Sequence, residues 1–573
     1  MNHKFSRVRV VVAAVVATAL LAASCGDDGA GEASGSTTTT ASQTTAAVAT
    51  TAAPKVGGTL TVGTFSQTAG LDPVVTTGGG NSGSSEVGTI HDTIMRYDNA
   101  TGKYEPQTAE SLSPNADFSE WTLKLRSGIK FTDGTDYDAQ AVVDGIKRHL
   151  TFRSSSAGLV ANIKDFQVVD KLTAKFVLTS AWAGFPYLLS FHTGMIPSPT
   201  ATKACDATKA ARECAYNVKP VGAGPFMIDG EFKSGEPIVV KRNPNYWGGQ
   251  AYLDSIRFVN IPGAQATLDA LKNGTVNVAV FRDAIATKKV TEDKTLTTVF
   301  NWKQYGGNSL VFFTGKARCA GGSPKPACDG KADGTIADIG GTPTLMNDKR
   351  LREAVVAALD PSVINTRAFE GSADATTEII QKDSRLYTNA AGPKVDLNRA
   401  KQLVEEVKKE GKWDGTIKLG LAKNPANEAI GLAAKTMLEQ AGFKVTMDIT
   451  LDVQGYVGKV ITKTSGYDIL GWAVQVEDAD PFIGVQKVFD SKSALNVGGF
   501  ISDALDAQVK AMKEAKDDAA RKNVLAEVQK LVNQEFNVAT YASVVETVAT
   551  QPKVQGLKPS VNTYVLYDKA WIS

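Results

Sequence analysis

Apolar and polar residues alternate at Gly58-Thr59-Leu60-Thr61-Val62 and again at Trp121-Thr122-Leu123-Lys124-Leu125, a period of two that predicts half-buried strands. In the C-terminal half the pattern becomes α/β. Ile417, Leu419 and Leu421 alternate, residues 427–441 then place Ile430, Ala433, Ala434, Met437 and Leu438 on one helical face, and Gly442 supplies a stop. Alternation resumes over 443–449, so the three pieces predict a βαβ unit with a right-handed crossover. A further helix-like stretch leads into a strand over 467–472. Ligands of open α/β sheets bind beyond the carboxyl ends of strands, and beyond this one come Trp472 and the acidic group Glu477, Asp478 and Asp480. Upstream, Asp348 is placed to cap a helix holding Leu351, Val355, Ala358 and Leu359. Asp360-Pro361 supplies an N-cap and a first-turn proline for the next helix, which ends at Gly371.

The N-terminus has a different character. Lys4, Arg7 and Arg9 precede an apolar run over 10–23 that ends in Leu20-Leu21-Ala22-Ala23-Ser24-Cys25. About fourteen residues are too few for a bilayer-spanning helix, which needs roughly twenty, so residues 1–25 predict a cleaved secretory signal with a lipobox. This resembles a bacterial lipoprotein whose first mature residue, a lipidated Cys25, holds it on the outer face of the cytoplasmic membrane. An ordinary secreted protein, or an uncleaved anchor with a free cysteine, is the alternative. Residues 26–56 are almost all Gly, Ser, Thr, Ala and acid. Such a chain cannot bury enough apolar surface to offset its entropy, and as a flexible tether it would reach roughly 30 Å.

The remaining chain is far longer than a single core supports, so two or three lobes are expected. The formal charge of +2 comes from the leader: without its three basic residues the 62 Lys and Arg fall just below the 60 acids. A balanced surface argues against nucleic acid as the main partner. After residue 25 no second long apolar stretch occurs, which predicts a soluble body. The four cysteines after Cys25 form two sets of equal spacing in polar, loop-like segments. Outside the membrane the economical reading is two local disulfides, Cys205–Cys214 and Cys319–Cys328, although four cysteines allow three pairings. A zinc site would bring closer cysteine knuckles or adjacent histidines, whereas His91, His149 and His192 are scattered without HExxH spacing. No Gly-x-Ser-x-Gly elbow occurs, and Gly222-Ala223-Gly224 is followed by Pro225 where a dinucleotide loop needs backbone donors. Asp478 and Asp480 could form an acid/base pair for glycoside hydrolysis, but two acids on one loop are common in proteins that are not enzymes.

Three passages together resemble the family 5 extracellular solute-binding proteins of bacterial ABC importers, the peptide and nickel class. The first is Thr108-Ala109-Glu110-Ser111-Leu112 followed by 121–135, which contains Asp133-Gly134. The second is Val221-Gly222-Ala223-Gly224-Pro225-Phe226 with Arg242-Asn243-Pro244-Asn245-Tyr246-Trp247-Gly248 and Leu253-Asp254. The third is 348–360 with Gly471-Trp472 and Asp480-Pro481. The resemblance implies an α/β fold of the periplasmic-binding-protein-like type II (cluster C), with two lobes, three domains and an interlobe ligand cleft. Domain I would comprise 57–90, 218–295 and 540–573, domain II 91–217, and domain III 296–539. It also implies a non-catalytic, monomeric receptor without cofactor or metal, which captures a peptide-like solute and presents it to a membrane permease. Asp480, or Asp478 in its place, would pair with a ligand amino group, a charge-assisted bond worth roughly 1.5–3 kcal/mol. Trp472 would lie against the ligand, Thr76, Asn81 and Ser82 would approach it from a Gly-rich loop, and Tyr305 and Asn308 are further candidates. Arg242, Tyr246 and Trp247 are expected to be structural. A surface hydrolase of peptides or glycans and a scaffold lipoprotein without a small ligand are the competing readings.

Overall fold

The computed structural model describes residues 53–573 apart from 65, 67, 77–82, 206, 320–327, 329, 340–343 and 464. The leader, Cys25, nearly all of the tether and the candidates Asn81 and Ser82 lie outside the described residues.

The dominant feature is a 10-stranded sheet. Numbered along the chain, its strands are β1 (Thr59–Thr64), β2 (Phe226–Ile228), β3 (Ile238–Arg242), β4 (Ser255–Asn260), β5 (Val278–Phe281), β6 (Thr297–Phe312), β7 (Thr416–Gly420), β8 (Lys444–Asp448), β9 (Ile469–Gly471) and β10 (Val538–Thr550). Their spatial order is β8-β7-β9-β6-β10-β5-β1-β4-β3-β2. Two parallel groups, β5-β1-β4 on one flank and β9-β7-β8 on the other, are joined by the long antiparallel pair β6 and β10. A separate four-stranded antiparallel sheet is built from Ala109–Pro114, Glu120–Leu125, Ile163–Asp170 and Thr173–Leu178.

Local chemistry explains the expected elements. β7 and β8 pair in parallel around the helix Pro425–Gln440, which completes the βαβ unit. The helix starts slightly earlier than periodicity alone predicts, because Asn424 Oδ1 accepts from Asn427 N at 2.8 Å and Pro425 occupies the first turn. Asp348 and Asp360 cap Lys349–Ala358 and Pro361–Phe369 as expected. The expected strand before Trp472 shortens to β9, since Asp468 turns its carboxylate onto Lys418 N at 2.7 Å.

The hydrophobic pattern does not mark β6 and β10 as continuous strands. In β6 the alternation is interrupted at Gly306-Gly307, where the register against β10 slips between Gln304 and Asn308. Gly307 is obligatory there: a Cβ would lie 2.7 Å from Gln304 O and 2.8 Å from Val544 N. The bulge bends the strand and lets it run on past the slip.

One core packs Leu60, Val62, Phe226, Val240, Ile256 and Val548 under the β5-β1-β4 flank. A second packs Ile417, Leu419, Ile469, Leu310 and Phe312 against the helices of the other flank. The third runs without a break from Trp121, Phe176 and Phe185 of the four-stranded sheet to Val474, Phe482, Val485 and Phe489 beyond β9. Cys205–Cys214 and Cys319–Cys328 are both disulfide-bonded, as the spacing suggested.

Candidate functional site

The sheet register fixes where a ligand would sit. Phe281, the last residue of β5, is level with Thr547 of β10, and Gly471, the last of β9, is level with Leu310 of β6. The two parallel groups run in opposite directions, so their carboxyl ends converge on the middle of β6 and β10. Carboxyl ends of parallel strands are ligand-binding positions, and here two sets of them face one another across the bulge. The segment after β9 continues along it: Val476 N donates to Tyr305 O, Tyr305 N to Val476 O, and Val474 N to Gly306 O, at 2.9, 3.0 and 3.1 Å.

A chain of polar side chains crosses this convergence. Arg282, immediately after β5, donates through Nη1 to Glu546 Oε1 at 2.5 Å and through Nη2 to Gln304 Oε1 at 3.5 Å. Gln475 Nε2 donates to the same Gln304 oxygen at 3.0 Å, and Lys487 Nζ donates to Gln475 Oε1. The Lys487 ammonium also lies 5.2 Å from the centroid of the Trp472 ring. Burial lowers its pKa to about 8, nearby Arg282 adds to the shift, and Glu477 opposes it. Arg282, Trp472, Gln475 and Lys487 are half-buried, whereas Gln304, Glu477, Asp480 and Glu546 are buried.

The carboxylates of this region are engaged by the protein itself. Glu477 accepts from Tyr187 OH at 3.2 Å, and burial raises its pKa to about 8, with Glu546 and Asp480 adding to the effect and Tyr187 and Lys487 reducing it. Glu546 also accepts from Thr563 Oγ1. Asp480 Oδ1 takes Phe482 N at 3.1 Å as N-cap of the helix Pro481–Phe489, and its Oδ2 takes Trp182 Nε1 at 2.9 Å. Gly184 makes that approach possible, since a Cβ would stand 2.0 Å from Asp480 Oδ2. Asp478 accepts from Ser384 Oγ at 2.5 Å and from Arg385 N at 3.3 Å. Burial raises the pKa of both aspartates.

The other described candidates make contacts of their own. Thr76 is buried and donates to Pro73 O at 2.7 Å. Tyr305 is buried at the bulge, its ring 5.6 Å from the Lys303 ammonium, and Asn308 Nδ2 donates to Ser543 O at 3.1 Å. Trp472 borders a cavity of about 10 Å³ lined also by Val311, Phe312, Val488 and Asn537, and its Nε1 and Asn537 Oδ1 have no hydrogen-bond partner. Arg242 pairs with Asp254 at 2.7 Å, and Tyr246 OH donates to Asp92 at 2.6 Å, both away from the convergence. Among the described residues no group of three or more His, Cys, Asp or Glu could hold a metal ion.

Sequence reasoning missed Arg282, Gln304, Gln475, Lys487 and Glu546, and also an aromatic wall. Tyr97, Tyr187, Phe191, Trp302, Ala479 and Val561 form one buried cluster with Tyr104 packed on it. Tyr104 OH donates to Ala479 O at 3.1 Å, so the wall touches the loop after β9 directly, while Trp302 Nε1 has no partner.

Known proteins share this architecture. The oligopeptide-binding protein AppA of Bacillus subtilis, solved with a nonapeptide, superposes with a TM-score of 0.75 at 18% identity, covering 91% of this chain and 100% of that one. The fold is therefore that of the type II periplasmic binding proteins. "Probable di/tripeptide-binding protein 5" of Pseudomonas aeruginosa is 24% identical over 88% of this chain and 94% of its own length. The nickel-binding periplasmic protein of Escherichia coli is 29% identical over 33% of this chain and 35% of its own. The family model for bacterial extracellular solute-binding proteins, family 5, matches residues 103–490, which is most of the folded chain. This chain belongs to the family 5 bacterial extracellular solute-binding proteins, a family of binding proteins rather than enzymes.

Proposed function

We propose that the protein is the lipid-anchored receptor of an ABC importer, which captures a peptide-like solute at the middle of β6 and β10 and delivers it to the permease. The observation that carries this reading is the convergence of two opposed sets of strand ends on one polar chain, Arg282–Gln304–Gln475–Lys487. In this reading 57–90, 218–295 and 540–573 form domain I, 91–217 domain II and 296–539 domain III. β6 and β10 are then the hinge, and the contacts of Trp182 with Asp480, Tyr187 with Glu477 and Tyr104 with Ala479 are interlobe contacts of the closed state. Relatives named for di/tripeptides and an oligopeptide-binding neighbour support a peptide-like solute. Cys25 supplies the anchor, residues 26–56 the tether, and the receptor acts as a monomer without cofactor.

Native mass spectrometry of protein purified from its own host tests the reading. A bound small solute, released intact on denaturation, is the expected result; a cleaved product would indicate a hydrolase, and protein without solute that also binds none from host extract would leave a scaffold role.

A further inference from the structure

Solvent reaches the convergence through four half-buried side chains, Arg282, Trp472, Gln475 and Lys487. Three carboxylates of this region, Glu477, Asp480 and Glu546, are buried, with 5%, 2% and 1% of their surface exposed. Each is already held by the protein: Glu477 by Tyr187, Asp480 by Trp182 and its own helix N-terminus, Glu546 by Arg282 and Thr563. Lys487 differs from these charges, since its only hydrogen-bond acceptor among the described residues is a neutral carboxamide, Gln475 Oε1. No carboxylate lies within ion-pair distance of it among the described residues. Arg282 approaches from the opposite flank through Gln304, so two cations face the same pair of glutamines.

Arg282 is already paired with Glu546, so Lys487 is the charge left without a counter-ion, and an anion placed beside it relieves the cost of holding it in a partly desolvated cleft. Glu477 supplies little of that relief: burial keeps it protonated up to about pH 8. The glutamines contribute donors once their mutual bond opens, and the Trp472 face offers an apolar surface beside the ammonium.

Resting on the receptor reading above, we infer that Lys487, with Arg282 opposite and Gln475 between them, forms the subsite for a carboxylate of the solute. This point of the cleft then takes an anionic end of the ligand, since the buried Glu477, Asp480 and Glu546 are already engaged by the protein.

The test uses the folded protein and an equimolar tripeptide library, offered once with free carboxyl termini and once amidated, with retention read by native mass spectrometry. Wild-type protein is expected to retain free-acid peptides at least tenfold better than amidated peptides without Asp or Glu. Retention of amidated peptides only when they contain Asp or Glu would assign the carboxylate to a ligand side chain. Lys487→Met should abolish the preference and Lys487→Arg should restore most of it, circular dichroism establishing that both variants are folded. Equal retention of both libraries, or an unchanged preference in Lys487→Met, would overturn the carboxylate subsite while leaving the receptor reading intact. Failure of wild-type protein to retain any tripeptide would instead overturn the peptide-like reading, and the subsite with it.

Discussion

Glu477→Gln keeps the shape of the side chain and its contact with Tyr187 but removes the ionisable group, so it isolates the cost of a buried carboxyl at the centre of the molecule. Burial shifts the Glu477 pKa from 4.5 to about 8. At about 1.4 kcal/mol per pH unit that displacement corresponds to about 5 kcal/mol as an upper figure. The direction follows from proton binding. Between pH 4.5 and about 8 the folded state holds a proton that the unfolded state has released, so the group's contribution to stability is complete below 4.5 and is lost as pH rises through 8. The glutamine variant has no such contribution to lose. Urea denaturation followed by tryptophan fluorescence at intervals across this range should show the variant gaining on the wild type by up to about 1.4 kcal/mol per pH unit. Glu86, raised to about 7, and His91, lowered to about 4, titrate in both proteins and cancel in the difference. A difference that stays flat from pH 5 to 8, or one that falls, would refute the claim that Glu477 is buried and protonated in the native protein.

Trp182→Phe keeps the buried ring and its packing on Phe482 but removes the donor to Asp480, leaving that carboxylate short of a charge-assisted bond worth about 1.5–3 kcal/mol. Calorimetry with the co-purified solute should show roughly tenfold weaker binding, and unchanged affinity would mean that this contact plays no part in closure. Lys487→Met should raise the stability of the solute-free protein near neutral pH: the lysine's folded pKa is lowered from 10.5 to about 8, so the charged form is disfavoured in the fold below 8 and stability rises only between those values. A urea midpoint lower than wild type contradicts this. Replacing Cys205 and Cys214 by Ser opens a loop of about ten residues, for which chain entropy gives about 2.7 kcal/mol of lost stability; free thiols at these positions in non-reducing peptide maps of the wild type would remove the basis for that loss. Cys25→Ser should release the protein from the membrane fraction, and retention at wild-type levels would exclude a lipid anchor at this residue.

Where local chemistry decides the outcome, the sequence was informative. The βαβ unit over 416–448, the caps at Asp348 and Asp360 and both disulfides rest on residues close to one another along the chain. Asp480-Pro481 shows the limit of that legibility. It is the same cap-and-proline signature as Asp360-Pro361 and starts the helix Pro481–Phe489, with Phe482, Val485, Val488 and Phe489 buried. Asp480, expected as a ligand anchor, has one oxygen on its own helix and the other on Trp182, a cap role the same signature already announced at Asp360. The polar chain was harder to see for a topological reason. β5 is a short unbroken apolar run, Val278-Ala279-Val280-Phe281, without alternation to mark it, so Arg282 does not stand out as the residue at a strand's carboxyl end. Gln304 and Glu546 lie on paired strands that are far apart in the chain, a contact no window along the sequence reveals. Lys487 lies in the second turn of its helix and meets Gln475 only because the loop after β9 folds back along the bulge.

Small-angle scattering on the protein stripped of solute and then saturated with the solute identified from its own host tests the central claim most directly. If β6 and β10 are a hinge closing on a ligand held at Arg282, Gln475 and Lys487, the radius of gyration falls on saturation and the solute is recovered chemically unchanged. An identical profile with and without saturating solute, or recovery of a cleaved product, would contradict a closing receptor.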